Sequence, residues 1–155
     1  MTIRLARIRD TEAISATLRE AFAEFELLYT PAGFSATTPS KEQIEARFGE
    51  GPIWVAELAS KLVGTVAAVP CGIELYIRSM AVLPAARGQG VGTLLLNAIE
   101  TFAAIHHYRR LILNTTPFLL EAVRLYERHG FRRTGKQSDL FGTPLATMTK
   151  ELPAP

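Results

Sequence analysis

Met80-Ala81-Val82-Leu83-Pro84-Ala85-Ala86-Arg87-Gly88-Gln89-Gly90-Val91-Gly92-Thr93-Leu94-Leu95 decides how this chain is read. An apolar, strand-like segment ends at Pro84, three glycines follow in close order, and an amphipathic helix opens near Val91. Glycines at such a junction let backbone N–H groups approach a ligand with no side chain in the way. The first turn of the helix adds unpaired donors and the positive end of its dipole, which suits a phosphate or pyrophosphate. A glycine within a helix costs about 1 kcal/mol relative to alanine, so the cluster at Gly88, Gly90 and Gly92 calls for a reason.

Two phosphate-binding classes fit poorly. A nucleotide P-loop needs Lys-Ser or Lys-Thr after its last glycine, and here Thr93-Leu94 follow Gly92. A dinucleotide fingerprint needs a third glycine where Thr93 stands. It also needs a carboxylate at the end of the next strand, which reads Leu113-Asn114-Thr115.

Working outward, Val91, Leu94, Leu95, Ala98, Ile99 and Phe102 form a helical stripe. Upstream, Ile53 to Leu58, Leu62 to Val69 and Ile73 to Leu83 read as three successive strands, the first two joined by a hairpin at Ala59-Ser60-Lys61. Before them, Ile3 and Leu5 mark a short strand, Asp10 an N-cap, and Thr11 to Leu28 a helix. Tyr29 to Pro39 reads as a loop, and Ser40-Lys41-Glu42-Gln43 as a capping box opening a short helix through about Phe48. Downstream come a strand at Arg110 to Thr115, a helix from Pro117 to His129 stopped by Gly130, and strands from Phe131 and over Leu145 to Leu152. The order is βααβββαβαββ, an α/β (α+β) fold with a mixed, mostly antiparallel sheet flanked by helices.

This pattern resembles the GNAT superfamily of N-acetyltransferases. Its acyl-CoA signature is Arg or Gln, two residues, Gly, one residue, then Gly or Ala, matched here by Arg87, Gly90 and Gly92. A second hallmark, a helix carrying Leu-Tyr and ending in Gly-Phe, is matched by Leu125-Tyr126 and Gly130-Phe131. The likeness covers roughly Ile73 to Arg132 and is only topological before that. It implies direct acetyl transfer from acetyl-CoA to a primary amine of a small molecule or peptide, with no metal.

By that resemblance, Arg87, Gly88, Gln89, Gly90, Val91, Gly92 and Thr93 would hold the cofactor phosphates. Met80, Ala81 and Val82 would pair with the pantetheine arm, and a backbone N–H there, that of Val82, would steady the oxyanion. Tyr126 would protonate the departing thiolate, as an alternative to being simply a core tyrosine on the stripe with Leu119 and Val123. Many relatives carry a glutamate as base four residues before the Met80 position, where this chain has Tyr76. Glu74, two residues earlier on the same strand, is the candidate base through a water, and a solvated strand-end carboxylate is the plainer reading. Asn114 would compensate for Leu119, which stands where some relatives have an asparagine for the CoA arm. Phe25, Tyr29, Phe34 and Tyr76 would line the acceptor pocket. Tyr76 in place of the glutamate also keeps open a non-catalytic acyl-CoA-binding module.

Composition agrees with one domain over residues 1–155: the chain is 48% hydrophobic, 21% charged and carries a net charge of +2. That charge is too small to argue for nucleic acid or an anionic membrane. No apolar run is long enough for a membrane span, and the first residues lack a signal-peptide block, so a cytoplasmic protein is expected. The single cysteine, Cys71, excludes an internal disulfide. Homodimers are common in the resembling family, and the acceptor amine is not legible from the chain.

Overall fold

The computed structural model describes residues 1–154. Among them a seven-stranded sheet carries five α-helices on its two faces. In chain order the elements are β1 (Thr2–Leu5), α1 (Thr11–Phe22), α2 (Pro31–Thr37), α3 (Lys41–Arg47), β2 (Ile53–Leu58), β3 (Lys61–Cys71) and β4 (Glu74–Val82). They continue with α4 (Val91–Ile105), β5 (Arg110–Thr115), α5 (Leu120–Arg128), β6 (Arg132–Leu140) and β7 (Thr143–Glu151). The strands lie in the order β1-β2-β3-β4-β5-β7-β6, and only β4 and β5 run parallel. No helix among the described residues is long and apolar enough to cross a membrane.

Each face of the sheet has its own core. Leu75, Ile77, Leu111 and Leu113 pack with Val91, Leu95, Leu96 and Ile99 of α4 and with Tyr126 of α5. On the other face Val55, Ala67 and Ala81 meet Ile14 and Leu18 of α1 and Ile44 of α3. The α4 stripe is rotated slightly from the sequence reading: Leu96 and Ala103 are buried, whereas Leu94 lies at the surface.

Three boundaries differ from expectation, each for a local reason. Pro31 starts a helix rather than breaking one, because Thr30 caps α2 by accepting from the Gly33 amide at 3.0 Å and proline fits the first helical turn. The order is therefore βαααβββαβαββ. Helix α1 ends at Phe22 and tightens into a 3₁₀ stretch, Ala23–Leu28. There the Ala21 carbonyl, which an α-helical Phe25 amide would take, accepts from Arg87 Nη2 at 3.0 Å. Helix α5 begins at Leu120, since the chain after Pro117 first makes a turn in which Leu119 N donates to the Thr116 carbonyl. Asp10 precedes α1 but caps nothing with its side chain there. Its carboxylate instead accepts from both Arg4 Nη atoms and from the Arg7 amide.

Two irregularities of β4 shape everything that follows. The register to β3 slips between Thr65↔Ala81 and Ala67↔Arg78, so a bulge places an extra residue at Ser79, whose φ is 53°. The bulge reverses the alternation: Leu75 and Ile77 face α4, and so do Met80 and Val82, while Ala81 faces α1. The parallel ladder to β5 runs from Glu74↔Arg110 to Ile77↔Leu113 and stops, although β4 continues to Val82. Beyond Ile77 the two strands part.

Candidate active site

The cleft between the parted strands has an open backbone edge. Leu83 N donates to the Val63 carbonyl at 2.8 Å, and Ala81 faces Thr65 in the same ladder. Since successive residues of a strand point their polar groups to opposite sides, the Val82 amide and carbonyl point away from β3, toward the cleft. Among the described residues no strand pairs with them there.

The cradle at the mouth of the cleft is made by residues 87–93. Gly90 is the residue before α4 and takes φ 82°, a left-handed conformation that glycine adopts without strain. A Cβ built at Gly88 or Gly90 would meet nothing within 4 Å among the described residues, so the backbone here faces open space. The amides of Val91, Gly92 and Thr93 in the first turn have no intrahelical acceptor. Gly92 has a different reason to be glycine: a Cβ would lie 2.7 Å from Leu125 Cδ2 and 3.3 Å from Met80 Cε. The start of α4, the cleft residue Met80 and the Leu125-Tyr126 turn of α5 thus meet at one point. Gln89 folds back, its Nε2 donating to the Ala85 carbonyl at 3.2 Å.

Arg87 points inward rather than toward the cradle. Its Nη1 pairs with Glu24, Nη2 holds the Ala21 carbonyl, and Nε donates to the Val82 carbonyl at 3.3 Å. Its guanidinium carbon lies 5.9 Å from the centre of the Phe25 ring. Arg87 therefore ties the end of α1 to the open edge of β4.

Tyr126 is buried, stands against Phe131 with ring centres 5.8 Å apart, and makes no side-chain hydrogen bond among the described residues. Burial, with the nearby Tyr29 adding to it, raises its pKa well above the ordinary phenol value. The hydroxyl keeps its proton at neutral pH, as a general acid must.

The face opposite α4 collects aromatic and polar side chains. Tyr29 is buried, its ring centre 4.9 Å from Phe118, 6.1 Å from Phe34 and 6.4 Å from Phe22. Burial raises the Tyr29 pKa, with Thr116 beside it pulling the other way. Asn114 accepts from Thr147 Oγ1 at 2.6 Å, and its Nδ2 lies 3.5 Å from the Tyr76 hydroxyl. The structure thus places Asn114 and Tyr76 together on this face, whereas the bulge turns Met80 to the other. Glu74 stands apart from both. It sits at the first rung of the β4–β5 ladder, paired with Arg110 at 3.2 Å, at the end where the strands are closed.

Several groups here escaped the sequence reading: Phe118, Thr147, and the pair Arg47 and Arg78 on the same face as Tyr76. Arg78 lies two residues beyond Tyr76 on the strand, which is the signal that could have found it. Arg47 had none, since its approach to β4 depends on how α3 packs. Among the described residues no cluster of His, Cys, Asp and Glu is arranged to hold a metal.

Residues 16–131 match the profile of the acetyltransferase (GNAT) family. The chain is 32% identical over 136 residues to an uncharacterized N-acetyltransferase, YjgM, of Escherichia coli, covering 83% of this chain and 80% of that protein. It is 33% identical over 96 residues to probable N-acetyltransferase family 8 member 5 of Mus musculus, covering 58% of this chain and 42% of the relative. It thus spans less than half the length of that mouse relative. In fold it is similar to the PaiA N-acetyltransferase of Thermoplasma acidophilum, solved with coenzyme A, with a TM-score of 0.82 at 18% identity over 98% of this chain and 100% of that one. The chain belongs to the acetyltransferase (GNAT) family.

Proposed function

We propose that this chain transfers an acetyl group from acetyl-CoA directly to a primary amine of a small molecule or peptide. One observation carries the reading: β4 parts from β5 beyond Ile77, and the open glycine cradle and the Leu125-Tyr126 turn both meet that cleft. When bound, acetyl-CoA supplies a thioester, with its acetyl group and its leaving thiolate.

The chain's own groups divide the remaining work. The backbone donors of Gly88 to Thr93 hold the phosphates, and the edge of Met80, Ala81 and Val82 binds the pantetheine arm as a neighbouring strand would. The Val82 N–H steadies the negative charge that develops on the carbonyl oxygen when the amine attacks. Tyr126 gives its proton to the departing thiolate. The acceptor enters on the opposite face, along Phe25, Tyr29, Phe34 and Tyr76, where Asn114 belongs to its wall rather than to that of the cofactor arm. Glu74, engaged with Arg110 at the closed end of the ladder, is remote from this step. The amine proton leaves to water in the acceptor groove. Arg87 reaches the phosphates only on leaving Glu24.

An acceptor screen at fixed acetyl-CoA, with thiol release as the readout, tests the reading. Release that depends on a primary amine supports it. Tight acetyl-CoA binding without release across a wide amine panel supports instead a non-catalytic acyl-CoA-binding module.

A further inference from the structure

A groove of about 600 Å³ runs between α2, α3 and β4 and ends against the exposed Phe141 at the β6–β7 turn. Ala32, Ala36 and Ala46 line much of it, and its charged groups are Arg47, Arg78 and Glu50. Two guanidinium groups therefore face one carboxylate.

The two arginines are poorly paired. Arg47 donates from Nη1 to Ser79 Oγ at 2.8 Å and makes no other side-chain hydrogen bond among the described residues. Burial, and then the neighbouring Arg78, hold its pKa below the ordinary value. Arg78 spends Nη2 on both oxygens of Glu50, at 2.9 and 3.1 Å, and its Nε is enclosed without an acceptor among the described residues. Glu50 itself is 42% exposed at its side chain, so water screens the one counter-charge. A half-buried cation pair with unspent donors is costly unless an anion joins it. A planar carboxylate suits the guanidinium fork.

The bulge at Ser79 builds this arrangement. Arg78 precedes it and faces α3, and Ser79, in its left-handed conformation, offers its hydroxyl to Arg47. The position also matters. Arg78 follows Ile77, the last residue of β4 paired with β5. At about 3.3 Å per residue, Met80 to Val82 lie roughly 7–13 Å further along the strand. A gap of that size matches a small molecule with a few bonds between its carboxylate and its amine.

We infer that the acceptor is a small primary amine carrying a carboxylate, which Arg47 and Arg78 bind while the amine reaches the cleft beside Met80 to Val82. This rests on the acetyltransferase reading above. The surplus positive charge of the groove disfavours polyamines and other polycationic acceptors.

The test pairs each acceptor with its uncharged twin: free α- and ω-amino acids against their carboxamides, at fixed acetyl-CoA. The acids are expected to exceed the amides in kcat/KM by about ten- to a hundredfold, the scale of one charged hydrogen bond. Arg78→Gln should bring that ratio close to one while leaving acetyl-CoA affinity unchanged. Arg78→Lys, which keeps the charge but loses the fork, should fall between. Calorimetry with N-acetyl amino acids and their amides asks the same question without turnover, so it still reads the groove if no amine releases thiol. Equal handling of acid and amide by the wild-type protein would overturn the inference, and so would an acid preference that survives Arg78→Gln. Failure of the acetyltransferase reading looks different: no thiol release from any amine, with acetyl-CoA bound.

Discussion

The two walls of the cleft are made of different material. The wall toward α4 and α5 is backbone: an unpaired strand edge at Val82, glycines at 88, 90 and 92, and the free amides of a helix start. The wall toward α1, α2 and α3 is side chains: Tyr29, Phe34, Phe118, Tyr76, Arg47 and Arg78, drawn from elements far apart in sequence. Backbone recognition depends on local conformation and tolerates little change in residue type. Side-chain recognition can be altered one residue at a time without disturbing the sheet. The first wall is suited to a fixed donor and the second to a variable acceptor.

The largest effect should come from Tyr126→Phe. Removing the proposed proton donor is expected to lower kcat about a hundredfold or more, with acetyl-CoA affinity and melting temperature nearly unchanged. The hydroxyl has no hydrogen-bond partner among the described residues to lose. Steady-state kinetics with calorimetric binding checks this, and full turnover would remove Tyr126 from the chemistry. Gly92→Val attacks the same wall through packing. With a Cβ 2.7 Å from Leu125 Cδ2 and 3.3 Å from Met80 Cε, the larger side chain must displace the ends of these two side chains, at a cost of about 1–3 kcal/mol in chemical unfolding. A stability equal to wild type would show that the three elements meet less tightly than the structure has them.

The contrast between the walls also explains what the sequence disclosed. The cradle was legible because Gly88, Gly90 and Gly92 sit between a strand and a periodic helix, all within one local stretch. The stripe on α5 marked Tyr126 only as a core tyrosine, and its role came from the family resemblance of Leu125-Tyr126 and Gly130-Phe131. The bulge at Ser79 left no mark: neither glycine nor proline stands there, and Ser79 takes φ 53° with its hydroxyl accepting from Arg47 of α3. Without the bulge, alternation would carry Tyr76 and Met80 to one face; the role expected of Tyr76 came from the family resemblance, and that of Glu74 from its alternation with Tyr76. Helix α2 was read as a loop because Pro31 and Gly33 look like breakers. Gly33 is instead required by a close approach, since a Cβ would lie 2.4 Å from Thr143 Oγ1. That contact links positions more than a hundred residues apart, and local pattern cannot reveal it.

Asp10→Asn should loosen the acceptor side while sparing the donor side. The carboxylate accepts from Arg4 Nη1 at 2.8 Å, Arg4 Nη2 at 3.0 Å and the Arg7 amide at 2.7 Å, fastening the start of α1 to β1. The Arg4 hydrogen bonds, against the opposing effect of burial, hold its pKa below the ordinary carboxylate value. A depressed folded-state pKa means that the stabilisation is present above the unfolded value, about 3.9, and is lost as pH falls through the folded one. The variant should therefore be less stable at pH 7 by about 1–3 kcal/mol, and the gap should narrow below about pH 4. Urea unfolding at pH 7 and pH 3 measures it. A gap that stays constant with pH would mean that shape rather than charge secures the clasp.

The smallest effect is expected where the two walls touch, at Glu24 and Arg87. This pair is exposed on the carboxylate side, 48% at Glu24, so breaking it should cost less than about 1 kcal/mol of stability. Its interest lies in the direction of the binding change. Arg87 now spends Nε on the Val82 carbonyl, a group of the open edge itself, and Nη1 on Glu24. Glu24→Gln releases the guanidinium from its carboxylate and makes it available to an anion at the cradle. Acetyl-CoA affinity should then tighten by a few-fold, more at low salt than at high salt, because the gain is electrostatic. Arg87→Gln should weaken affinity by a similar factor and abolish the effect of Glu24→Gln in the double variant. If Glu24→Gln weakens binding instead, the ion pair is a brace that holds the edge open, and the acceptor-side helix takes part in shaping the donor site.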